Sequence, residues 1–421
     1  MRTGTWSLLF FLAAFLVHGI FLAALPAGGL DFLFHDATRD YGKGFDFFSI
    51  YQAGYNFTHG MSIYFGVRDH SYGEEFKVVP YFSGFRYLPI YAYTYGVALT
   101  LFEPWHSYWI WVTIVELLLI MNILVLRRLS DERGTFLVTA GMWLAYSPYY
   151  LELFMGQQSM VTVTLLTVIC YGLARRRYRL VDGGYIASVM WKLNTLLAVP
   201  LMLRLRRFRG LLLLTVLVLL TSAPYFLLVE GSWHEFVLYF KVKMIADGPN
   251  SLGLWALAAM LHKRAGLPPG TLRPLLQVMT LLVLGGSGLV TFLNRESDPI
   301  RLLAVWISSF YLAYRYVWEH HYVIILPLLA VLWLRERRLF ILAVWLLLAV
   351  PTPFALLHRP DLPMPQVAWT WWQDLAVHAK VLPVLALWGW LCGAELVRAA
   401  GKRDLWLPAV LAGLRGHLGQ I

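Results

Sequence analysis

Trp318-Glu319-His320-His321-Tyr322-Val323-Ile324-Ile325-Leu326-Pro327-Leu328-Leu329-Ala330-Val331-Leu332-Trp333 sets an acid, two imidazoles and a tyrosine at the mouth of an apolar run. The run belongs in a membrane. Carboxylate and imidazole groups are costly where hydrocarbon begins, so residues placed there face a polar ligand or a water-filled cavity.

The rest of the chain agrees. Of 421 residues, 59% are hydrophobic and only 14% charged, with 18 Trp, 23 Tyr and 25 Phe. Mean hydropathy is +0.61. This balance belongs to a polytopic helical membrane protein, not to a soluble domain. A net charge of +11 would suit a nucleic-acid binder, but the basic residues sit in short clusters between apolar runs. They are Arg127-Arg128, Arg175-Arg176-Arg177 with Arg179, Arg204 with Arg206-Arg207 and Arg209, Arg335 with Arg337-Arg338, and Lys402-Arg403. That is the positive-inside signature, and it argues against a DNA or RNA partner. Cys170 and Cys392 lie in apolar segments, so no disulfide framework or zinc site is in view. The first apolar stretch, 5–25, is longer than a signal-peptide core, and Ala24-Leu25-Pro26-Ala27 is a poor cleavage site. It reads as an uncleaved anchor helix.

A crossing helix needs about 20 apolar residues. Candidate spans are 5–25, 87–103, 107–126, 135–154, 159–174, 181–203, 210–229, 275–293, 300–317, 322–334, 339–355 and 381–397. The expected fold is therefore all-α and polytopic, with about 11–13 crossings and juxtamembrane helices in the outer loops. Putting every basic cluster in the cytoplasm leaves 26–86, 230–274, the His320-His321 mouth and 356–380 outside. Two places then break parity. Segment 181–203 has Arg-rich flanks at both ends, and 87–126 must cross only once. Half-spanning hairpins at 181–203 and 87–103 restore the count, since non-helical backbone is allowed in a membrane when protein buries it. The alternative is that both cross and the clusters at 127 and 175 lie outside.

The outer segment 26–86 carries most of the other polar groups, including His35, Asp36, Asp40, Asp46, His59, His70, Glu74 and Glu75. Residues 46–55 suggest a short amphipathic helix at the headgroup level, with Asp46 in its first turn, where a carboxylate suits the helix dipole. Trp233, Phe236, Val237, Phe240 and Met244 recur every three or four residues and suggest a second interfacial helix. The His, Asp and Glu spacings match no metal-ligand motif, so neither a metal nor a cofactor is expected.

Asp46 followed by Ser49-Ile50-Tyr51-Gln52-Ala53-Gly54, then Gly60 and Tyr64, resembles the family-87 membrane glycosyltransferases of the GT-C superfamily. Further pieces follow in the right order: Arg86-Tyr87-Leu88-Pro89, Gly156-Gln157-Gln158-Ser159, Trp191-Lys192-Leu193, Asn250-Ser251 and Trp318-Glu319-His320-His321-Tyr322. The likeness covers about 30 to 335, so 1–335 is read as the catalytic module and 336–421 as additional helices and a basic tail. The resemblance implies an inverting transferase that takes a sugar, mannose or another hexose, from a polyprenyl-phosphate donor to a lipid or glycan acceptor. Asp46 would be the general base. His320 and His321, with Arg315 and Lys192, would hold the donor phosphate. Tyr51, Tyr64, Gln157, Asn250 and Glu319 would support substrate or site, Glu319 by orienting an imidazole. Leu88, Gln158-Ser159 and Leu193 depart from the family pattern and put substrate identity, more than reaction class, in doubt.

Plainer roles stand beside these. Asp46 fits a helix N-cap, Asp36 and Asp40 are rival acids, and Tyr51 and Tyr64 suit packing as well as sugar stacking. Gln157 and Gln158 suit a helix break. A transporter or lipid flippase without chemistry would show internal repeats with charges near the midplane. The polar residues here gather at one face instead. An O-antigen-type ligase would carry its large outer loop late in the chain, whereas here it follows the first helix. The expected setting is a bacterial cytoplasmic membrane, multi-pass, with the site facing outside.

Overall fold

The computed structural model describes residues 3–34, 42–64, 77–82, 84–241, 251–293, 296–353 and 369–400. Among the described residues the chain forms helices and no strand. Five helices are long and apolar enough to cross a membrane: Gly4–Ala24, Pro104–Arg127, Phe208–Leu228, Pro269–Leu293 and Trp371–Ala400. Shorter apolar helices include Ser159–Ala174, Pro299–Ala313 and Leu339–Ala349. The outer faces are as apolar as the core: Leu212, Leu220, Leu227 and Leu281 are all exposed. Helices that are hydrophobic all round belong in lipid. This is an all-α polytopic membrane protein.

The basic clusters converge on one end of the bundle. Arg337 pairs with Glu132 at 2.6 Å, Arg335 with Asp298 at 2.6 Å and Arg301 with Glu336 at 2.8 Å. Arg175 donates to the Arg128 carbonyl at 2.6 Å, and the Ser297 hydroxyl donates to Glu395 at 2.6 Å. Helix ends far apart in sequence are thus drawn to one level, as a single-sided distribution of the clusters requires.

Segment 181–203 resolves into a hairpin. Arg207 Nε donates to Asp182 Oδ1 at 2.8 Å, and its guanidinium lies 5.3 Å from the Tyr178 ring centre. Both ends of the segment therefore sit at the basic end. The helix Tyr178–Trp191 rises from it and stops at Lys192, which is extended (φ −152°, ψ 121°). The chain returns through a 3-10 turn, Leu193–Ala198, and the helix Val199–Arg204. The charged residue occupies the tip.

Segment 87–103 does not cross. It holds the helical turn Pro89–Tyr91, a π-helical stretch Ala92–Gly96 and the turn Val97–Leu99. Eleven residues at helical rise reach about 16 Å, half the hydrocarbon thickness. The piece packs on the helix Phe45–Thr58 through two glycines: a Cβ on Gly54 would lie 2.1 Å from the Gly96 carbonyl carbon. The expected span 135–154 is likewise split into Arg133–Leu144 and Ser147–Met155, with Pro148 in the first turn of the second piece. Proline lacks the amide needed to continue the first helix but fits the start of a new one.

One expectation about the outer elements is corrected. Phe45–Thr58 is not an amphipathic helix resting on headgroups. Phe47, Phe48, Ser49, Ile50, Tyr51, Gln52 and Ala53 are all buried, so protein covers it on most sides. The aromatics that suggested an interface instead pack inward, as where Phe48 meets Trp105 edge-on at 5.0 Å. The second outer helix is present as Ser232–Lys241, with Met244 outside the described residues.

Candidate active site

The helix Phe45–Thr58 begins after Gly44, whose positive φ of 79° turns the chain into it, and Asp46 falls in its first turn. Nearby, the helix Ser147–Met155 ends at Gly156, also left-handed at φ 63°. Glycine suits both turns because a Cβ disfavours this region. At Gly156 a Cβ would also lie 2.5 Å from Phe47 Cβ. The close approach delivers Gln157 to Asp46: its Nε2 donates to Asp46 Oδ2 at 2.5 Å. Backbone anchors fix this corner. The Gly44 amide donates to the Phe154 carbonyl at 2.7 Å, the Tyr108 hydroxyl to the Leu153 carbonyl at 2.9 Å, and Trp111 Nε1 to the Gln157 carbonyl at 3.1 Å.

Lys192, at the hairpin tip, completes the row. Its Nζ donates to Ser159 Oγ at 2.8 Å and to Gln157 Oε1 at 3.4 Å. Trp191 Nε1 donates to the Gln158 carbonyl at 3.0 Å, locking the tip onto the turn before Ser159. Beneath lies Glu152, fully buried, whose Oε1 accepts from the Met160 amide at 3.0 Å. Sequence reading passed over Glu152, since nothing marks it within the apolar segment that contains it.

The 3-10 turn Glu319–Ile325 presents the imidazoles. The Trp318 amide donates to His321 Nδ1 at 3.0 Å, which makes Nδ1 an acceptor and assigns a neutral ring's proton to Nε2. The Tyr311 hydroxyl donates to the His321 carbonyl at 2.7 Å, and Tyr146 to the Tyr322 carbonyl at 3.0 Å. His320 is 2% exposed, and neither of its ring nitrogens has a hydrogen-bond partner among the described residues. A buried, unsatisfied imidazole costs stability and marks a place where a ligand completes the bonding. Burial, then the charges of Lys192 and Arg86, holds the His320 imidazole well below the ordinary histidine range. His321 is held down in the same sense by burial first, then by His320, Lys192 and Arg86.

These elements enclose one cavity of about 440 Å³. Asp46, Gln157, Lys192, Arg315, His320 and His321, all singled out in the sequence, meet there. Arg86 joins them; it was visible in the Arg86-Tyr87-Leu88-Pro89 piece but was not counted as a site residue. Arg315 lies over the Trp255 ring at 4.7 Å, and Ser251 supports it by donating to its carbonyl at 3.1 Å. Lys192, Arg86, Arg315 and two imidazoles thus share the cavity with the Asp46 carboxylate. Such a set attracts an anion, with the Asp46 carboxylate beside it.

Three expected supporting residues lie elsewhere. The Tyr51 hydroxyl donates to the Phe102 carbonyl at 2.8 Å, and the Tyr64 hydroxyl to the Tyr87 carbonyl at 2.8 Å, so both brace the outer segment rather than face the cavity. Glu319 does not orient an imidazole. Its Oε1 accepts from the Thr352 amide at 2.9 Å and lies 3.1 Å from Lys380 Nζ. The pull of a buried ammonium and a free amide outweighs any claim of the neighbouring ring. Asn250, Asp36 and Asp40 lie outside the described residues. Among the described residues no group of three or more His, Cys, Asp or Glu is placed to hold a metal ion.

No curated protein matches the chain. The model of Glycosyltransferase family 87 matches residues 85–314, more than half of the 421 residues. That stretch includes Arg86, Glu152, Gln157 and Lys192; Asp46 and the His pair flank it. The chain, a polytopic membrane protein with a cation-lined cavity, belongs to glycosyltransferase family 87.

Proposed function

We propose that the protein is an inverting transferase that moves a sugar, mannose or another hexose, from a polyprenyl phosphate to a lipid or glycan acceptor. The observation that carries this is the meeting of Asp46 with Lys192, Arg86, Arg315, His320 and His321 in one cavity. In this reading Asp46 takes the proton from the acceptor hydroxyl, and that oxygen attacks the anomeric carbon as the bond to phosphate breaks. The leaving group is an ionised phosphate that needs no proton, so one carboxylate suffices where glycoside hydrolysis uses two. The cations and the His321 Nε2–H stabilise the charge that grows on the departing phosphate. Gln157 holds the carboxylate in place through its bond to Oδ2.

Both stems of the hairpin whose tip is Lys192 leave from the arginine-rich end, which with the positive-inside rule supports a cavity toward the extracytoplasmic face of a cytoplasmic membrane. Donor and acceptor then reach it from the outer leaflet. The test is sugar transfer in proteoliposomes with a short-chain polyprenyl-phosphate mannose and, separately, glucose. Asp46→Asn should lose transfer by about 10²–10⁴-fold while retaining donor binding. Transfer undiminished in Asp46→Asn removes the base assignment; no transfer by wild type from either donor removes the reading.

A further inference from the structure

Two ionic contacts run from 369–400, a segment beyond the stretch that matches the family, to the elements that carry His320-His321 and Trp255 into the cavity lining. The first is buried. Glu319, the residue before His320, and Lys380 have side chains only 4% and 5% exposed, with Glu319 Oε1 3.1 Å from Lys380 Nζ. The same oxygen accepts from the Thr352 amide at 2.9 Å, and Lys380 also donates to the Val350 carbonyl. Lys380 sits in a one-turn 3-10 segment, Ala379–Val381, between the helices Trp371–His378 and Leu382–Ala400. Separating a buried pair strands a charge in low dielectric, so the contact resists displacement. It thereby fixes where the turn bearing His320 and His321 begins.

The second contact holds the other anion-binding element. Asp374 accepts from Arg264 Nε at 2.7 Å, and Arg264 also donates to the Trp369 carbonyl. Arg264 ends the helix Leu254–Arg264, whose first turn carries Trp255, the ring beneath Arg315. Trp255 Nε1 in turn donates to Thr280 at 2.9 Å. The helix Trp371–His378 that links the two contacts is itself secured by a capping box between Thr370 and Gln373.

We propose that the segment 369–400 is a brace for the anion-binding side of the cavity, with Lys380 positioning the His320–His321 turn and Asp374 positioning Trp255 and Arg315. The anion's identity as a lipid phosphate rests on the transferase reading; the bracing does not.

The test uses the full chain in lipid nanodiscs, with two readouts: amide hydrogen exchange by segment, and affinity for a short-chain polyprenyl monophosphate. The double variant Glu319→Gln/Lys380→Met removes both buried charges without stranding one. Asp374→Asn opens the outer contact, where Arg264 is 35% exposed. Exchange over 318–325 should rise about tenfold in the double variant while 159–174 stays protected, and over 254–264 in Asp374→Asn. Lipid-phosphate affinity should fall about tenfold in the double variant and recover in Lys380→Arg with Glu319 intact. Unchanged exchange in both variants overturns the brace, as does faster exchange with wild-type affinity. Wild type that binds no polyprenyl phosphate, alongside the expected exchange pattern, supports the brace and overturns the lipid-phosphate reading instead.

Discussion

Gln157 Nε2 lies 2.5 Å from Asp46 Oδ2 although the two residues are 111 positions apart. The amide's other end accepts from Lys192 at 3.4 Å. Gln157 therefore orients itself: the ammonium can bond only the amide oxygen, and this turns the amide hydrogens toward the carboxylate.

Replacing Gln157 by Leu keeps the volume and removes its bonds to Asp46 and Lys192. A hydrogen bond to a charged group contributes roughly 1.5–3 kcal/mol, so kcat should fall about tenfold or more. Donor KM should change less, because Lys192 keeps its bond to Ser159. Steady-state kinetics in proteoliposomes separates the two. A change confined to KM would mean that Gln157 serves the donor and not the base.

Proton uptake should accompany donor binding. His320 and His321 are held well below the ordinary histidine range, first by burial, so both rings are neutral near pH 7. A phosphodiester anion among them favours imidazolium at His320, whose ring nitrogens are unpartnered among the described residues, whereas His321 would give up the Trp318 amide bond to take a second proton. Binding should then tighten as pH falls from about 8 to 6, because the donor phosphodiester itself does not titrate there. Calorimetry in buffers of differing ionisation enthalpy gives the proton count. His320→Ala/His321→Ala should flatten the dependence.

Gly54→Ala should destabilise the whole protein, not only the site. The new Cβ would sit 2.1 Å from the Gly96 carbonyl carbon and 2.6 Å from the Val97 nitrogen, and backbone cannot swing aside as a side chain does. Overpacking of this kind costs about 1–3 kcal/mol. A lower midpoint in detergent thermal unfolding checks it. Gly60→Ala meets nothing within 4 Å but has φ 69°, so any loss there reports backbone strain alone.

Much of the fold was legible because its rules are local. Apolar length marked the five long helices, but it also marked 87–103, 135–154 and 181–203, which are broken into shorter pieces. Setting the arginine clusters on one side pointed to a hairpin at 181–203, with a full crossing as the alternative, and the Arg207–Asp182 contact favours the hairpin. Asp46 and the His pair stood out because ionisable groups at a membrane boundary need a reason. Long-range partners were not legible. Glu319 sits beside His320 in sequence, yet its carboxylate is committed to Lys380, 61 positions on. Tyr51 and Tyr64 lie within the family-like pattern, but their hydroxyls are spent on backbone carbonyls at 102 and 87. Nor does hydropathy separate a helix that floats on headgroups from one roofed by protein, as Phe45–Thr58 is. Aromatic composition is the same in both.

The hairpin that ends at Lys192 bears on how the protein is assembled. Both of its stems leave from the arginine-rich end, and its tip carries an ammonium whose bonding partners, Ser159 and Gln157, belong to the preceding segment. Lipid alone offers that charge nothing. The earlier helix, Ser159–Ala174, must already be inserted before the tip can settle beside its start. Synthesis from the N-terminus makes the two in that order, so the partners that satisfy Lys192 precede it in the chain.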